Sequence, residues 1–450
     1  MGSLSASACN NFEPLFLIIG AGSRGHSYAQ AVNASTRGRI GAVAEIDPFK
    51  RAEFGRKYIW GGERKPRREE SFSSCDDFIS NGRGRRITGV FICTLDDSHA
   101  PIIRALAPLN LHIMCEKPLA LSLADCLSIK TTLERYPAKI YSIGHVLRYS
   151  PHNIRLRKLL CEEQVIGEVV SIEHTEPIGW WHFSHSYVRG NWRRSTPDAG
   201  SLLTKSCHDI DFLLWLLCSP SPLTGRKRPH LPTTVMSSGA LNHFRRTRKP
   251  KSAGKVTNCL RCEAETSCLY SAEKIYRDVW LREKRDTGWP LKIVVPEIED
   301  IVRTKGWDQA ETVLMDKLAE DWDESTPDEV VRGRSWIYGS LGEITYDSSA
   351  ITVHTFADGL TRTHVIPKQA PEVEKSHGGG DWGLAGAFVN AVIASEAEGM
   401  SVKEAQWKFV GCDLDEIVTS HAVVFAAEEA RKRRIVVDFP RWKEEKYAAV

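Results

Sequence analysis

The feature that most constrains the fold is a short apolar run that breaks into three regularly spaced glycines, Leu15-Phe-Leu-Ile-Ile-Gly20-Ala-Gly22-Ser-Arg-Gly25. The apolar run does not alternate with polar residues, which favours a parallel strand buried on both faces. The spacing predicts that Gly20 permits a tight turn, Gly22 lets the backbone approach a pyrophosphate, and Gly25 allows close packing of the next helix. Ser23 and Arg24 would begin that helix, whose free N–H groups favour an anion. The stretch therefore predicts a strand, a phosphate-binding turn and a helix N-terminus.

An acidic residue follows the second predicted strand at the distance that a dinucleotide requires. The strand spans Arg39–Ala44, and Glu45 lies twenty residues after Gly25. A carboxylate there can accept both ribose hydroxyls of an adenosine, whereas an ordinary glycine-rich turn and a solvated carboxylate are the alternatives. Ile46 follows Glu45, so the next side chain offers no positive charge to a 2′-phosphate. We therefore predict NAD rather than NADP.

Composition bounds the class of protein. The 450 residues are 42% hydrophobic and 26% charged, which is typical of a globular chain with two or three domains. A net charge of +3 gives no reason to expect a nucleic-acid or membrane partner. Twelve cysteines spread over this length do not resemble a disulfide scaffold, and no apolar run is long enough for a membrane span. We expect a cytoplasmic protein.

Further strands alternate with helices along the first third of the chain. They are predicted at Thr88–Cys93, Leu111–Cys115 and Ile140–His145. This alternation indicates a doubly wound parallel sheet, which binds ligands beyond the carboxyl ends of its strands. Thr94 and Lys117 lie at such ends, as Glu45 does.

Four segments occur together in one order, and with them the chain resembles the family of glucose-fructose oxidoreductase and inositol dehydrogenase. They are Gly20–Gly25, Thr94–His99, Glu116-Lys117-Pro118 and Gly200-Ser-Leu-Leu-Thr-Lys-Ser-Cys-His208-Asp-Ile-Asp211. The resemblance implies an α/β fold, with a Rossmann domain at 1–145 and an α+β domain at 146–450. The second domain would hold an open, largely antiparallel sheet and an insertion at about 220–331. It also implies a homodimer or homotetramer.

The resemblance further implies hydride transfer between nicotinamide and a sugar, inositol or other cyclitol. Lys117 would act as the base or hydrogen-bond donor, and His208 as its proton-transfer partner. The residues that the resemblance assigns to the cofactor, besides the three glycines and Glu45, are Ser23, Arg24, Thr94, Asp96, His99 and Glu116.

The helix predicted over Ser201–Leu217 carries one departure from the family. Thr204, His208 and Asp211 recur at spacings that place them on one face. The best-known members have Asp where this chain has Thr204, and a threonine cannot take up a proton. Either Asp209 or Asp211 supplies a carboxylate, or the relay runs without one.

A segment dense in aromatic, His and Arg side chains, Trp180–Arg193, is predicted to be a loop that lines the site. Charges and rings of this kind suit a polyol better than a buried core. The predicted substrate contacts are Arg148, Tyr187, Arg189, Trp192, Arg193, Thr204 and Asp211.

Two questions stay open at the level of sequence. An NAD-dependent glycosidase of the same family and a non-catalytic NAD-binding regulator are alternatives to the dehydrogenase, although the presence of both Lys117 and His208 favours an enzyme. Cys259, Cys262 and Cys268 are one thiol short of a structural zinc site, and we expect no bound metal.

Overall fold

The computed structural model describes residues 12–62, 64–82, 86–176, 182, 184–190, 192, 200–220, 230–239, 246–320, 335–347, 350–374 and 377–448. The chain divides into two compact units. The first comprises Met1–His174, Lys205–Ser237 and Arg334–Val450, and the second comprises Thr175–Thr204 and Ser238–Gly333. The predicted domain boundary at residue 145 stays a prediction.

The first unit contains the predicted parallel sheet. Its six strands have the order β3-β2-β1-β4-β5-β6, and every neighbouring pair is parallel. The order reverses between β1 and β4, which is the point where open α/β sheets bind ligands. The side chains of Phe16, Leu17 and Ile18 are fully buried, as the unbroken apolar run predicted. The strands are β1 (Leu15–Ile19), β2 (Arg39–Ala44), β3 (Ser71–Phe72), β4 (Gly89–Ile92), β5 (His112–Cys115) and β6 (Tyr141–Ile143).

Capping residues set where the helices between these strands begin. Asp47 accepts hydrogen bonds from the N–H groups of Phe49 and Lys50, with Pro48 in the first helical position. Ser122 caps the last of these helices in the same way. The helices are Ser23–Ser35, Pro48–Tyr58, Cys75–Asn81, His99–Leu106 and Leu123–Glu134, with short 3-10 turns at Asp96–Ser98, Ala107–Leu109 and Val146–Tyr149.

A second sheet in the same unit is antiparallel throughout, in the order β12-β11-β10-β9-β7. One face packs on the core that contains Leu156, Phe212 and Trp215. The predicted α/β class with an open antiparallel second sheet is therefore confirmed. The strands are β7 (Val169–Glu173), β9 (Ser335–Gly339), β10 (Gly342–Tyr346), β11 (Ala350–Thr355) and β12 (Thr361–Val365), and a separate pair is formed by β8 (Thr234–Val235) and β13 (Val437–Asp438).

The C-terminal part of the chain completes the core of the parallel sheet. The ring of Phe388 lies 5.8 Å from Phe16 and 5.2 Å from Phe91, so a late helix covers the central strands. The remaining helical segments of this unit are Pro151–Arg157, the π-helical Lys158–Glu162, Cys207–Leu217, Pro371–Glu374, Gly380–Glu396, Val402–Ala405, the π-helical Gln406–Val410, Leu414–Arg433 and Phe439–Ala448. No helix in the described ranges is long and apolar enough to cross a membrane.

Two predicted elements were wrong in extent. The helix predicted over Ser201–Leu217 is broken, with Ser201–Thr204 separate from Cys207–Leu217. The sequence also predicts one helix over Val402–Arg431, but the helical segment ends near Gly411, where a φ of +75° interrupts it, and a new helix begins at Leu414.

The second unit is helical around its own apolar core. Tyr276, Leu291 and Leu314 are fully buried there. Its segments are the π-helical Ser184–Arg189, Ser201–Thr204, the 3-10 turns Arg246–Arg248, Lys251–Ala253, Cys259–Arg261 and Glu265–Ser267, the π-helical Glu273–Glu283, and the helices Trp289–Val294, Ile298–Lys305 and Trp307–Leu318.

Buried neutral histidines make the fold acid-sensitive. Burial lowers the pKa of His112 to about 4 and that of His421 to about 3. Each ring binds fewer protons in the folded state than in the unfolded state. Its contribution to the free energy of unfolding is therefore complete above the unfolded pKa of about 6.5 and is lost as the pH falls toward the folded pKa. We expect the Tm to fall by roughly 5–10 °C between pH 7.5 and 5 in a thermal scan. His112→Asn should show a shallower dependence, and equal slopes for the two proteins would contradict the assignment to His112.

Candidate active site

The glycine turn after β1 has the geometry of a phosphate cradle. Gly20 has a φ of +94°, and a Cβ on Gly25 would lie 2.2 Å from the carbonyl oxygen of Gly20, so both positions require glycine. A Cβ on Gly22 would meet no atom within 4 Å, which leaves the turn open on that side. The helix that begins at Ser23 has no side-chain cap and no acidic residue in its first turn. Its N–H groups therefore suit the pyrophosphate of a dinucleotide.

The carboxylate of Glu45 is held at the end of β2 beside this turn. Its Oε2 accepts from the N–H of Ala21 at 2.7 Å and its Oε1 from the N–H of Asp47 at 3.0 Å. Such a fixed carboxylate can bind ribose hydroxyls. The sequence prediction considered only Ile46 and missed Arg51, which donates to the main-chain oxygen of Glu45 from the following helix.

Arg24 and Glu116, predicted to contact the cofactor, instead form a buried ion-pair cluster. Nε of Arg24 lies 2.8 Å from Oε1 of Glu116, and its two terminal nitrogens each lie 2.8 Å from an oxygen of Asp381. Tyr28 donates its hydroxyl to Glu116 at 2.5 Å. Burial opposes ionisation of Asp381, but Arg24 holds the pKa of its carboxyl well below the usual range. These charged groups already have protein partners, and their predicted cofactor contacts stay predictions.

The residues after β4 divide into two groups. His99 is fully buried, with Nδ1 2.8 Å from the carbonyl oxygen of Pro118 and Nε2 3.3 Å from that of Thr94. It holds the loops of Thr94 and Pro118 together, and its predicted cofactor contact stays a prediction. Thr94 accepts a hydrogen bond from Ser98 at 2.7 Å and, like Asp96, stays partly exposed at the carboxyl edge of the sheet.

Lys117 lies at that edge, and its charge acts on the imidazole of His208. Lys117 follows β5 and is partly exposed, and its N–H donates to Oε2 of Glu116 at 3.2 Å. Burial holds the pKa of His208 well below the usual range, and the nearby ammonium groups of Lys205 and Lys117 lower it further. The imidazole is therefore neutral and can accept a proton. Its Nδ1 is buried and has no hydrogen-bond partner among the described residues.

The two carboxylates that could replace the family's aspartate have different partners. Asp209 lies beside His208, with Oδ2 3.4 Å from Nε2 of that ring. Asp211 instead receives two hydrogen bonds of 2.7 Å from the buried Arg148. Although burial raises it, Arg148 holds the pKa of Asp211 far below the usual range. The two charges satisfy one another, and the predicted substrate contacts of Arg148 and Asp211 stay predictions.

Sequence reasoning missed three buried residues in the same neighbourhood, His145, Cys207 and His421, whose potential metal-ligating atoms all lie within 4.8 Å of one another. His421 is not free to ligate, because Nε2 accepts from the N–H of Leu119 at 2.9 Å and Nδ1 faces the carbonyl oxygen of Ile417 at 2.8 Å. Burial also raises the pKa of Cys207 to about 12. This arrangement does not favour a metal. His145 lies two residues after the end of β6, so the expectation that ligands bind beyond the carboxyl ends of the strands could have pointed to it.

The remaining predicted substrate residues belong to the second unit. Tyr187 is buried, with its hydroxyl 3.3 Å from Oγ1 of Thr204 and its ring 5.3 Å from Trp192. Arg189 donates to the carbonyl oxygen of Tyr270. The segment predicted as a loop is π-helical over Ser184–Arg189, and Arg193 lies outside the described residues. The substrate roles of these residues stay predictions.

The three cysteines of the second unit have protein contacts of their own. Sγ of Cys259 accepts from the N–H of Ala272 at 3.4 Å, and Cys262 and Cys268 are partly exposed. The expectation that they bind no metal stays a prediction.

A parallel sheet with an uncapped glycine turn and a fixed carboxylate after β2 places the chain among the NAD-binding Rossmann proteins. Residues 15–145 match the family model described as "Oxidoreductase family, NAD-binding Rossmann fold". Residues 15–145 thus carry the NAD-binding Rossmann domain of the Gfo/Idh/MocA family, and the resemblance seen in the sequence is confirmed.

Relatives and solved structures agree with this assignment. The chain is 28% identical over 148 residues to 2,7-anhydro-N-acetylneuraminate hydratase of Escherichia coli, and 27% identical over 225 residues to glucose-6-phosphate 3-dehydrogenase of Bacillus subtilis. These matches cover 33% and 48% of this chain, and 37% and 57% of the relatives. The chain thus spans between about a third and just over half of the length of these curated relatives.

Similarity in fold extends over nearly the whole chain. An oxidoreductase from Agrobacterium radiobacter, in complex with NAD+, L-tartaric acid and magnesium, has a TM-score of 0.61 at 14% identity, covering 96% of this chain and all of the other. An inositol dehydrogenase homologue from Azotobacter vinelandii, complexed with NADH and myo-inositol, has a TM-score of 0.60 at 13% identity, covering 95% and 97%. At these identities the likeness concerns the fold.

Proposed function

We propose that the chain is an NAD-dependent oxidoreductase that transfers a hydride between nicotinamide and a carbinol carbon of a sugar, inositol or other cyclitol. The observation that carries the proposal is the proximity of Lys117 and the neutral His208 at the carboxyl edge of the parallel sheet. Two relatives, a glucose-6-phosphate 3-dehydrogenase and an inositol 2-dehydrogenase, support this substrate class. Two structural neighbours, solved with bound myo-inositol and levoglucosan, support it as well.

The residues present fit the cofactor, which would supply the hydride acceptor when bound. The open side of Gly22 and the uncapped helix that follows it would hold the pyrophosphate. Glu45 would accept the ribose hydroxyls. Lys117 would receive the substrate hydroxyl proton or donate a hydrogen bond to its oxygen, and His208 would take the proton onward because its ring is neutral.

A substrate screen tests the proposal. The purified protein is incubated with NAD+ and a panel of sugars, sugar phosphates, inositols and anhydrosugars, and both NADH absorbance and product mass are recorded. NADH formation with a polyol supports the dehydrogenase. Substrate conversion without net NADH would indicate transient oxidation, as in the glycosidase alternative. No conversion, together with a protein partner that binds only in the presence of NAD, would replace the proposal by the regulator.

Cofactor choice gives a separate prediction. We expect NADH to bind at least tenfold more tightly than NADPH, because the Glu45 carboxylate repels a 2′-phosphate, a difference of about 1.4 kcal/mol. Glu45→Gln should reduce this discrimination in a fluorescence titration of both reduced cofactors. Asp47→Asn is the matched control, since it removes a charge two residues away and keeps a good helix cap. Equal affinities for the two cofactors in the wild type would refute the assignment of Glu45.

A further inference from the structure

We propose that His145, oriented by Asp211, is a second proton-accepting imidazole of this site that works in series with Lys117 and His208. This inference rests on the proposed oxidoreductase function. Lys117, His145, His208 and Asp211 all belong to the first unit.

The position of the ring determines which nitrogen carries its proton. Nδ1 of His145 lies 2.9 Å from Oδ1 of Asp211, which Arg148 keeps ionised. When the ring is neutral, two lone pairs at that distance would repel, so the proton lies on Nδ1 and the lone pair on Nε2. The electrostatic contact alone fixes the tautomer.

Asp211 itself is held rigidly and cannot take the proton. Arg148 donates to both of its oxygens at 2.7 Å and also lies 3.3 Å from Oε1 of Glu416, which accepts a hydrogen bond from Ser219. A carboxylate fixed in this way stabilises an imidazolium that forms beside it, and it stays ionised while the ring gains its charge. The Arg148–Asp211 pair thus prepares His145 as a proton acceptor.

The acceptor nitrogen of His145 is left without a protein partner. The residue is only 1% exposed, and Nε2 has no hydrogen bond among the described residues. Leaving a buried polar atom unpaired costs about 1–3 kcal/mol. Arg148 and Asp211 in the same cluster are paired, whereas Nδ1 of His208, Oδ2 of Asp209 and Oε2 of Glu416 are, like Nε2 of His145, buried without a hydrogen bond among the described residues.

The ring lies at the edge of the sheet that carries Lys117. A Cβ on Gly144, the preceding residue, would lie 3.0 Å from the backbone nitrogen of Lys117. The charge of a protonated His145 is one of the influences that lower the pKa of His208. Two unpartnered imidazole nitrogens and one ammonium therefore share a neighbourhood, which is what a chain of proton acceptors requires.

In the direction of oxidation the substrate O–H and C–H bonds would break, and NAD+, when bound, would supply the acceptor for the hydride. The hydroxyl proton passes to Lys117 or His208 and then forms a bond to Nε2 of His145. In the reverse reaction the proton returns from Nε2 of His145 to the substrate oxygen. Thr204, at the position where the family's aspartate is expected, has a hydroxyl that donates to Gly200 and has no capacity to take up a proton.

The first test compares His145→Asn with a structural control. Asn keeps an N–H near Asp211 but has no atom that takes up a proton, so kcat should fall by about tenfold to a hundredfold. KM and the Kd of NADH should stay within about threefold, and the solvent isotope effect on kcat should rise. His112→Asn, a buried histidine at the opposite end of β5, should change none of these. An unchanged kcat in H145N, or an equal fall in H112N, would overturn the proposal.

A second test needs no substrate and uses a variant only to assign one signal. Nitrogen-15 NMR of histidine-labelled wild-type protein shows the tautomer of each buried ring, and H145N or H145Q identifies the signal of His145. A proton on Nδ1 is expected, and a proton on Nε2 would overturn the proposal even if no polyol is ever oxidised. Failure of the screen with an Nδ1–H signal would instead count against the oxidoreductase function and leave the orientation of His145 established.

Discussion

Replacing Lys117 by Met lowers kcat by about a hundredfold or more, the scale expected for the loss of a positioned acid or base. Methionine keeps the length of the side chain and removes its charge and its proton. The Kd of NADH should change by less than about twofold, because the glycine turn and Glu45 lie at other strand ends. Stopped-flow single-turnover kinetics with any substrate from the screen measures the chemical step directly.

Lys139→Met is the matched control for this experiment. Lys139 precedes β6 at the opposite edge of the sheet and pairs with Glu396 at 2.7 Å. Its loss should leave kcat unchanged within about twofold and alter only stability, by up to about 1 kcal/mol. A fall in kcat of similar size in K117M and K139M would show that Lys117 acts through the fold. Loss of NADH binding in K117M would place Lys117 in cofactor binding instead.

The sequence pattern was enough to predict β1, its glycine turn and the residues that follow the strands. An unbroken apolar run followed by glycines predicted β1 and its turn, because a buried strand and a positive φ at Gly20 leave few alternatives. Glu45 and Lys117 each follow a strand, and because all six strands are parallel, both residues were predicted at the same edge of the sheet.

Partner choice between distant residues was not predictable. Arg24 pairs with Asp381, which is 357 residues away, so its motif position gave no sign that its charge was already satisfied. Arg148 and Asp211 looked like substrate contacts for the same reason, although each is the other's partner. A charged side chain in a motif can either bind a ligand or hold a loop. Only the three-dimensional list of partners distinguishes the two roles.

Arg24→Met should lower the free energy of unfolding by about 3–5 kcal/mol, because it leaves Glu116 and Asp381 buried without their cation. The side chains of these two carboxylates are only 8% and 2% exposed. Arg39→Met is the control: its pair with Glu13 is 67% and 54% exposed and should contribute no more than about 1 kcal/mol. Urea denaturation of both variants and the wild type measures the difference.

The pH dependence of the loss separates a buried-charge effect from simple loss of packing. In the wild type, Arg24 opposes the effect of burial and keeps the pKa values of Glu116 and Asp381 low. Without Arg24, burial raises them above their unfolded values, so the variant's folded state binds more protons than its unfolded state. The stability deficit of R24M relative to wild type should therefore shrink as the pH falls from 7.5 to 5. A deficit that is constant over this range would mean that Arg24 stabilises the fold through its packed methylene groups, and the ion-pair account would be wrong.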